Sequence, residues 1–541
     1  MTDHRQHRFT LGIDVGGTNT DGVLYDTENK TIAACTKEPT DHLDYRHSID
    51  NTLRKLLREA SAQDIISLNI STTLSTNALL EGKGSPVALV LIGYDDFPHI
   101  KDEILSAVSP SAFISASGGH TSWGVERKPL DMAAVADFAK EHAGSFFAVS
   151  SLYSPRNPIH ESKAAEIIRN AGCAGITCGH EMARSRLNSV KRTISAYLNS
   201  SLMDVTHKLI SGVNFCAASH GLACPVMFLR SDSSLVGGSW CSRFPLETIF
   251  SGPAASMRGA SLLAGVKDED AVIADMGGTS TDIGRVRCGS AVFSAEGAII
   301  GAYRTMIPSL EIHSAALGGD SAVRISEGGR ITIGPERIVP CCRAVPGAEC
   351  GFTPTDAVAA LGAHDLGDWE KSAEAARAMG ETIGLSGEEF ARRVRGEVSA
   401  KLDRELAKEG KGRRICVGAP AAAYSESADC CVPPLAEIAS AAGAASSSLS
   451  LSCLVSVQHS FMDGKFYAFL PGGQINGFDL DGILSRARAA LAGYLTKCAE
   501  EMGFSGASAE IKEEYEYIGR GKELSFLSAV TLSGRAVIRG A

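Results

Sequence analysis

Long hydrophobic runs and an excess of positive charge are both missing from this sequence of 541 residues. The N-terminal segment lacks the apolar core of a signal peptide. The stretch closest to a membrane span, residues 438–457, contains seven serines and a glycine, so it is too polar and predicts a packed helix followed by a strand. The net charge of −10 argues against nucleic acid as a partner, because nucleic-acid-binding proteins carry basic patches.

Cysteine motifs and a P-loop are also absent. The fifteen cysteines are scattered and odd in number, and the adjacent pairs Cys341–Cys342 and Cys430–Cys431 do not have C-x-x-C spacing. Buried thiols in a reducing compartment explain this usage better than disulfides, so we expect a cytoplasmic protein that neither enters nor crosses a membrane. Because G-x-x-x-x-G-K-[ST] does not occur, any phosphate site must be built differently.

What the sequence does contain is one short motif written twice. DVGGTNTD at residues 14–21 and DMGGTSTD at residues 275–282 are identical at six of eight positions, and each follows an apolar run. An apolar run, an acid, Gly-Gly-Thr and a polar-apolar tail predict a strand, a tight turn and a returning strand. One copy is no more than a glycine turn, but two copies predict two similarly built lobes that face a shared cleft.

The residues of this turn suit phosphate chemistry. Glycines without side chains let backbone N–H groups approach a phosphate, and a threonine hydroxyl adds a neutral donor. An aspartate at the end of a buried strand is a hard oxygen ligand, suited to Mg²⁺ through water. Two facing turns could therefore hold the phosphates of one nucleotide from both sides.

The doubled turn resembles the phosphate-1 and phosphate-2 motifs of the actin, Hsp70 and sugar-kinase superfamily. Five segments in order narrow this resemblance to the hydantoinase A/5-oxoprolinase family. They are GIDVGGTNTDGVL at residues 12–24, STTLSTNALLEGK at 71–83, FSGPAAS at 250–256, DMGGTSTDI at 275–283 and TPTDA at 353–357.

The resemblance implies an α/β protein with a two-lobed actin-like ATPase (ribonuclease H-like) fold. We expect an N-terminal lobe at residues 1–185, a second ATPase lobe at 186–455 and a small α+β C-terminal domain at 456–541. Two helices rich in small residues, one beginning near Ser251 and one within residues 433–445, resemble the connecting helices of the superfamily. Strand and helix signals alternate over residues 87–171, which predicts a sheet covered on both faces.

The same resemblance assigns roles to individual residues. Asp14 and Asp275 are the expected catalytic acids, and both are expected to hold Mg²⁺. RRICVGAPAAAY, at residues 413–424, is similar to the adenosine motif. The expected contacts to ATP are Gly16, Gly17, Thr18 and Asn19 in the first turn, Gly277, Gly278, Thr279 and Ser280 in the second, and Gly418 and Ala419 near the base.

Candidates for substrate contact are less specific. Thr73 and Asn77 lie in a polar loop that opens a helix, where lining a cleft and simple N-capping are both open. His313 follows Glu311 at a spacing of two, although an isolated histidine is more often structural. Asp320 stands where the family usually has glycine, and it could repel an anion or bind a cation. For His160 and Glu161, the missing H-E-x-x-H partner favours a solvated helix start over a metal site.

The function that the resemblance implies is ATP-dependent hydrolysis of a cyclic amide, such as a hydantoin, 5-oxoproline or a related lactam. Phosphorylation of the ring carbonyl would activate it, because an amide carbonyl is a poor electrophile. An ATP-dependent ketone carboxylase subunit and a nucleotide-driven switch of the actin/Hsp70 type remain alternatives. The sequence contains no G-x-S-x-G or H-E-x-x-H motif, and we expect no B-type region in the same chain. We therefore expect a separate B-type subunit, with homo-oligomer formation left open.

Overall fold

The computed structural model describes most of the chain. The predicted domain boundary at residue 185 lies outside the described residues. These are residues 8–41, 44–183, 187–288, 290–294, 296–301, 303–344, 350–363, 366–424, 429–448, 451–460, 462–471, 473–504, 506–518 and 526–538.

Helices and strands alternate along most of the chain. The helices are α1 Tyr45–Leu56, α2 Leu74–Leu80, α3 Pro98–Ala107, α4 Met132–Glu141, α5 Ile159–Asn170, α6 Gly179–Met182, α7 Ser189–Ser219, α8 Gly238–Arg243, α9 Ser251–Leu263, α10 Pro354–Ala360, α11 Trp369–Glu381, α12 Gly387–Lys408, α13 Ala439–Ser446 and α14 Leu480–Glu501. The strands are β1 Phe9–Val15, β2 Asn19–Asp26, β3 Thr31–Pro39, β4 Ile65–Thr72, β5 Val87–Ile92, β6 Ala112–Ala116, β7 Phe146–Ser151, β8 Gly175–Cys178, β9 Val226–Leu229, β10 Leu235–Gly237, β11 Ala271–Met276, β12 Thr281–Arg287, β13 Ser290–Ala291, β14 Phe293–Ser294, β15 Ile299–Ile300, β16 Tyr303–Arg304, β17 Ser309–Leu310, β18 Ile312–Ala315, β19 Ser321–Ile325, β20 Ile331–Arg337, β21 Val339–Pro340, β22 Cys350–Gly351, β23 Arg413–Val417, β24 Leu451–His459, β25 Phe466–Leu470, β26 Gly473–Gly477, β27 Ala507–Ile518 and β28 Phe526–Ile538.

The chain divides into two compact units that interleave in sequence. The first unit comprises Met1–Ser71, Ser251–Ser294 and Leu310–Ser447, and the second comprises Thr72–Phe250, Ala295–Ser309 and Ser448–Ala541. The three consecutive segments expected from the sequence differ from this division, and their boundaries stay a prediction.

The first unit contains both copies of the doubled motif. Strands β1 and β2 form an antiparallel hairpin that β3 and β4 extend, and β11 and β12 form a second hairpin. Strand β23 lies parallel to β11, and β18 is antiparallel to β12. Helices α10 to α12 cover this second sheet through a cluster of buried apolar residues that includes Ile283, Phe390 and Val398. Each motif is thus a turn at the end of a hairpin that lies within a larger sheet.

Helices α9 and α13 of the first unit cross at very short range. A Cβ atom added to Gly259 would lie 1.8 Å from the carbonyl oxygen of Ala439, and one added to Gly443 would lie 1.8 Å from that of Ala255. Real Cβ atoms do not approach so closely, so both positions require glycine. The crossing therefore depends on the small residues from which the connecting helices are predicted.

The second unit contains a parallel sheet with the strand order β6-β5-β7-β8. Alternate residues of β5 point to opposite faces: Leu89 packs with α3 and α7, and Val90 packs with α4 and α5. This is the doubly covered sheet that the alternating strand and helix signals predict, because parallel strands need a crossover helix between them.

The last part of the second unit is a five-stranded antiparallel sheet with the order β26-β25-β24-β28-β27. Helix α14 buries Leu484, Ala487 and Leu491. Residues 438–457, apart from 449 and 450, which lie outside the described residues, form helix α13 and most of strand β24. No helix in the described part of the chain combines the length and apolarity that a membrane span needs.

Candidate functional site

The two copies of the motif fold in the same way. In each hairpin the first acid is paired with the last, Asp14 with Asp21 and Asp275 with Asp282. The same backbone hydrogen bond closes both turns: the Gly16 N–H donates to the Asn19 carbonyl oxygen at 3.1 Å, and the Gly277 N–H donates to that of Ser280 at 2.9 Å. The repeated sequence therefore produces a repeated structure.

The tips of both turns are open. Gly17 and Thr18 are exposed in the first copy, and Gly277 and Thr279 in the second. A Cβ atom added to Gly17 would meet no atom within 4 Å. Within the described chain, the amide groups of Gly17, Thr18, Gly278 and Thr279 donate no backbone hydrogen bond. These N–H groups are available to an anion such as a phosphate.

The first acid of each copy is held in an unusual electrostatic state. Burial, with further repulsion from Asp21 and Asp275, raises the pKa of Asp14 to about 7, although the nearby Ser71 and Lys37 act in the opposite direction. Burial also raises the pKa of Asp275 to about 6. The charge of Asp275 contributes to the raised pKa of Asp14, which indicates that the two acids lie in one neighbourhood within the first unit.

The second acids have partners that sequence reasoning missed. Lys37 of β3 lies opposite Asp21, and its Nζ atom is 2.6 Å from Oδ1 of that carboxylate. In the other copy, Ser314 of β18 lies opposite Asp282 and donates to its Oδ1 at 2.5 Å. The hairpins therefore differ in charge, with a lysine beside the first turn and a serine beside the second. The only sequence signal for these partners is that both copies of the motif end in an aspartate.

Gly418 lies beside the second turn, at the end of β23. Its φ is +94°, and a Cβ atom there would lie 2.8 Å from Oδ1 of Asp275 and 2.3 Å from the carbonyl oxygen of Met276. A side chain at this position would displace the acid, so glycine is needed. Ala419 follows and is exposed. The predicted adenosine motif and the second phosphate motif are therefore adjacent in the first unit.

Asp320 also lies against the second turn. Its backbone N–H donates to the Gly278 carbonyl oxygen at 2.7 Å. Its carboxylate is 8% exposed and pairs with Arg337 at 3.3 Å and with Arg343 at 3.7 Å, and it also contacts Thr355. Two arginines thus compensate the acid that replaces glycine, so Asp320 does not present an isolated negative charge to an anion.

The three candidates for substrate contact belong to different units. Thr73 and Asn77 belong to the second unit, where they lie one turn apart at the start of α2. Thr73 makes no capping hydrogen bond with its side chain. His313 belongs to the first unit, and its Nε2 atom is 2.8 Å from Glu405 of α12. Their roles in substrate binding stay predictions.

The prediction of a solvated helix start at His160 and Glu161 is wrong. These residues are 1% and 0% exposed: Glu161 packs against the ends of β7 and β8, and His160 accepts a hydrogen bond from the Gly119 N–H at 2.9 Å. Glu161 accepts hydrogen bonds from the Ser151 N–H at 2.6 Å and from Nδ1 of His180 at 2.6 Å. A sequence without the fold cannot reveal that both polar side chains are enclosed by neighbouring elements.

Glu161, Cys178 and His180 bring three potential metal-ligand atoms within 4.8 Å of one another. Burial holds the pKa of the Cys178 thiol well above its usual range, so the thiol keeps its proton and is a poor ligand. The Glu161 carboxylate is already occupied by N–H donors. We interpret the cluster as a hydrogen-bonded network that ties α5 to the sheet.

The residues at the doubled turn fit ATP with Mg²⁺. The Oδ1 atom of Asp14 is buried and has no hydrogen-bond partner among the described residues. A cation near this carboxylate would favour its charged form and oppose the effect of burial. The open amide groups of the turns suit phosphate oxygens.

The raised pKa values predict that Asp14 destabilises the ligand-free protein at neutral pH. An acid with a raised pKa in the folded state contributes stability below about pH 4 that is lost as pH rises through about 7. We therefore expect Asp14→Asn to melt at a higher temperature than the wild type at pH 8, with a smaller difference at pH 5. The gain at pH 8 is at most about 4 kcal/mol, because one pKa unit corresponds to about 1.4 kcal/mol.

Asp44→Asn is the control for this measurement. The side-chain hydrogen bond from Arg46 lowers the pKa of Asp44 to about 2, so its contribution has the opposite sign and is lost as pH falls. Melting temperatures of both variants, measured by calorimetry at pH 5 and pH 8, check the prediction. A difference for Asp14→Asn that is the same at both pH values would contradict it.

Comparison with known proteins identifies the family. The profile described as "Hydantoinase/oxoprolinase N-terminal region" matches residues 10–172, and the profile "Hydantoinase/oxoprolinase" matches residues 192–406. Together they cover most of the chain and include both copies of the doubled turn.

Relatives of known name have about a quarter of their aligned residues in common with this chain. The alpha subunit of caprolactamase from Pseudomonas jessenii is 29% identical over 387 residues, which cover 66% of this chain and 55% of the relative. The 5-oxoprolinase PfmaA from Pestalotiopsis fici is 28% identical, with 65% and 31% covered. The gamma subunit of acetophenone carboxylase from Aromatoleum aromaticum is 25% identical, with 64% and 53% covered. The matched part thus spans about half or less of these relatives.

Solved structures share the fold. The ATP-dependent caprolactamase from Pseudomonas jessenii superimposes with a TM-score of 0.73 at 21% identity, over 98% of this chain and 87% of the other. Nucleotide-free acetone carboxylase superimposes with a TM-score of 0.72 at 17% identity, over 98% and 88%. The predicted α/β fold of the actin-like ATPase class is confirmed. With both family profiles present, the chain belongs to the hydantoinase/oxoprolinase family.

Proposed function

We propose that the protein is an ATP-dependent enzyme that opens a cyclic amide, such as a hydantoin, 5-oxoproline or a related lactam, after phosphorylation of the ring carbonyl. The observation that carries the proposal is the doubled hairpin, which brings Asp14 and Asp275 into one neighbourhood beside two open turns. Membership of the family and the names of the caprolactamase and 5-oxoprolinase relatives support the substrate class.

In this proposal the turn residues bind ATP, and the two buried acids control the charge at its phosphates. The open amide groups of Gly17, Thr18, Gly278 and Thr279 orient the phosphates, with Gly16, Asn19, Gly277 and Ser280 setting the turn geometry. Gly418 and Ala419 would lie beside the base. Asp14 would hold Mg²⁺, and Asp275 would be a second metal partner or a base near the terminal phosphate.

Bound ATP with Mg²⁺ would supply the phosphoryl group and neutralise its charge. The chain's own contribution is then mainly positioning and electrostatic stabilisation, which dominate enzymatic phosphoryl transfer. Of the Lys37–Asp21 pair beside the first turn, Lys37 lowers the pKa of Asp14 and Asp21 raises it by more, so the pair does not offset the effect of burial.

A ketone carboxylase subunit is the second candidate, because the gamma subunit of acetophenone carboxylase is among the relatives. Both reactions begin with activation at a carbonyl oxygen, so the turns fit either one. Incorporation of labelled bicarbonate into a ketone, compared with ATP-dependent release of ring-opened product from a lactam, separates them.

Nucleotide binding is the first test. ATP with Mg²⁺ is expected to raise the melting temperature, by an amount equivalent to roughly 2.7 kcal/mol at a concentration of 100 times the dissociation constant. Gly17→Asp places a negative charge in the open turn and is expected to abolish the shift. No shift at millimolar ATP in folded wild-type protein would contradict the proposal.

Gly328→Asp is the matched control. Gly328, like Gly17, belongs to the first unit and has no atom within 4 Å of an added Cβ. It lies outside the doubled motif, so this variant should keep the full shift with ATP.

A further inference from the structure

Arg156 of the second unit is a buried cation. It lies between β7 and α5, and the residue is 8% exposed. Its guanidinium carbon lies 3.3 Å from the centre of the Phe469 ring in β25. Its Nη2 atom donates to Oε1 of Gln458 in β24 at 3.3 Å. The side chain is thus stacked on the C-terminal sheet and bonded to a neutral amide.

No carboxylate among the described residues pairs with this guanidinium. The Nε atom of Arg156 is buried without a hydrogen-bond partner there. Burial alone lowers the pKa of Arg156 to about 10, with no acid acting against it. Arg230 in the same unit is buried to a similar extent, but it pairs with Glu247 at 3.1 Å and with Asp232 at 3.3 Å. Arg156 therefore lacks the compensation that buried charges normally have.

The sheet face beneath Arg156 is polar and aromatic. Phe469 lies opposite Gln474 in the register of β25 and β26, so their side chains are neighbours on this face. Tyr467, two residues before Phe469, is also on this face, and its ring contacts that of Trp123 in a tilted arrangement at 5.3 Å between ring centres. The face beneath Arg156 thus offers it aromatic rings and neutral amides.

Gln474 provides a second unpartnered group beside the arginine. Its Oε1 atom is buried and has no hydrogen-bond partner among the described residues. Both the Gln474 amide and the backbone of Arg156 approach Gly124, where an added Cβ would lie 2.9 Å from Oε1 and 3.1 Å from the Arg156 carbonyl oxygen. The site thus combines a cation with no anion and an acceptor with no donor.

A carboxylate is the ligand that suits this combination. The planar guanidinium presents a fork of N–H groups that matches a carboxylate, and desolvation strengthens that pair. The free amide oxygen of Gln474 accepts hydrogen bonds, so an N–H or O–H group on the same molecule would give it a partner. We propose that Arg156, Gln458, Phe469 and Gln474, here called the Arg156 site, bind a small organic carboxylate with a hydroxyl or N–H group next to the carboxylate.

Glycolate is a suitable probe, because it has a hydroxyl group on the carbon next to its carboxylate. Titration of the full chain with glycolate, without ATP, is expected to give saturable binding by calorimetry and a rise in melting temperature. Glycolamide, which lacks the charge, and sodium chloride at equal ionic strength should have no effect. This measurement does not involve the doubled turn, so its outcome is independent of the proposed function.

Arg156→Met removes the charge and keeps much of the side-chain volume. The expected result is a loss of glycolate affinity of about 10- to 100-fold, the usual range for hydrogen bonds to a charged group. Because an uncompensated buried charge is removed, the ligand-free variant should melt no lower than the wild type. Arg156→Lys, which keeps the charge without the planar fork, should also bind glycolate more weakly.

Arg127→Met is the matched control. Arg127 also stacks on an aromatic ring, Phe97, at 5.0 Å, but it pairs with Asp96 at 3.3 Å. This variant should bind glycolate as the wild type does. Absence of glycolate binding to the wild type would overturn the proposal. So would tighter binding of inorganic phosphate than of glycolate, or unchanged glycolate binding by both Arg156 variants.

Discussion

Asp14→Asn and Asp275→Asn are each expected to lower substrate-dependent ATP turnover by about 10²- to 10³-fold, the usual cost of removing one preorganised electrostatic group from an active site. Each acid is held by its hairpin beside an open turn, and the two interact with one another. Asparagine keeps the shape but cannot carry the negative charge that holds a metal ion or accepts a proton. Phosphate release, measured with the cyclic amide that supports turnover, checks the expectation.

Asp270→Asn is the control for both variants. Asp270 immediately precedes β11, at the opposite end from Asp275, and its exposed carboxylate accepts a local hydrogen bond from the Cys288 N–H at 3.0 Å. This variant should retain the wild-type rate. Melting curves establish that all three variants are folded. Wild-type turnover by both Asp14→Asn and Asp275→Asn would show that the acids are structural and that the assigned roles are wrong.

The isolated chain is expected to bind ATP but to open its ring substrate slowly, and a separate B-type chain is expected to restore the rate. The doubled turn accounts for phosphoryl donation, whereas the sequence contains no G-x-S-x-G or H-E-x-x-H motif for hydrolysis. Opening an activated ring needs a positioned water molecule and a base. Two relatives are named as subunits, the alpha subunit of caprolactamase and the gamma subunit of acetophenone carboxylase.

The measurement compares ring opening by the purified chain alone with ring opening after a B-type chain is added. Adding the B-type chain to the Asp275→Asn variant is the control, because a partner that acted alone would restore the rate there too. Turnover of about 1–10³ s⁻¹ by the isolated chain, the usual range of enzymes, would contradict the prediction. Size-exclusion chromatography of the same samples tests whether the chain also associates with itself.

The sequence determined the doubled hairpin in detail. An apolar run, an acid, Gly-Gly-Thr and a second acid specify strand, turn and returning strand through local conformational preferences, and both copies form the same register. The positions of Gly16 and Gly277 in their turns follow from the motif itself. Small residues likewise predicted the helices that cross at Gly259 and Gly443, because close approach excludes side chains.

The tertiary structure decided which side chains surround those turns. Lys37 meets Asp21 and Ser314 meets Asp282 because separate strands align across the sheet, and no local pattern sets that register. The raised pKa of Asp14 depends on burial by elements distant in sequence. Residues separated by tens or hundreds of positions become neighbours only when the sheets form.

The same reason explains the errors and omissions away from the turns. His160 and Glu161 looked like a polar helix start, but α5 packs them into the parallel sheet of the second unit. In the sequence, Arg156 is a single arginine before a helix and has no feature of a binding site. The contacts with Phe469 and Gln458, which are distant in sequence, make it a candidate. Local sequence determined what each turn and helix could be. Burial, which sets the energy of every charge, was decided by packing between segments far apart in the chain.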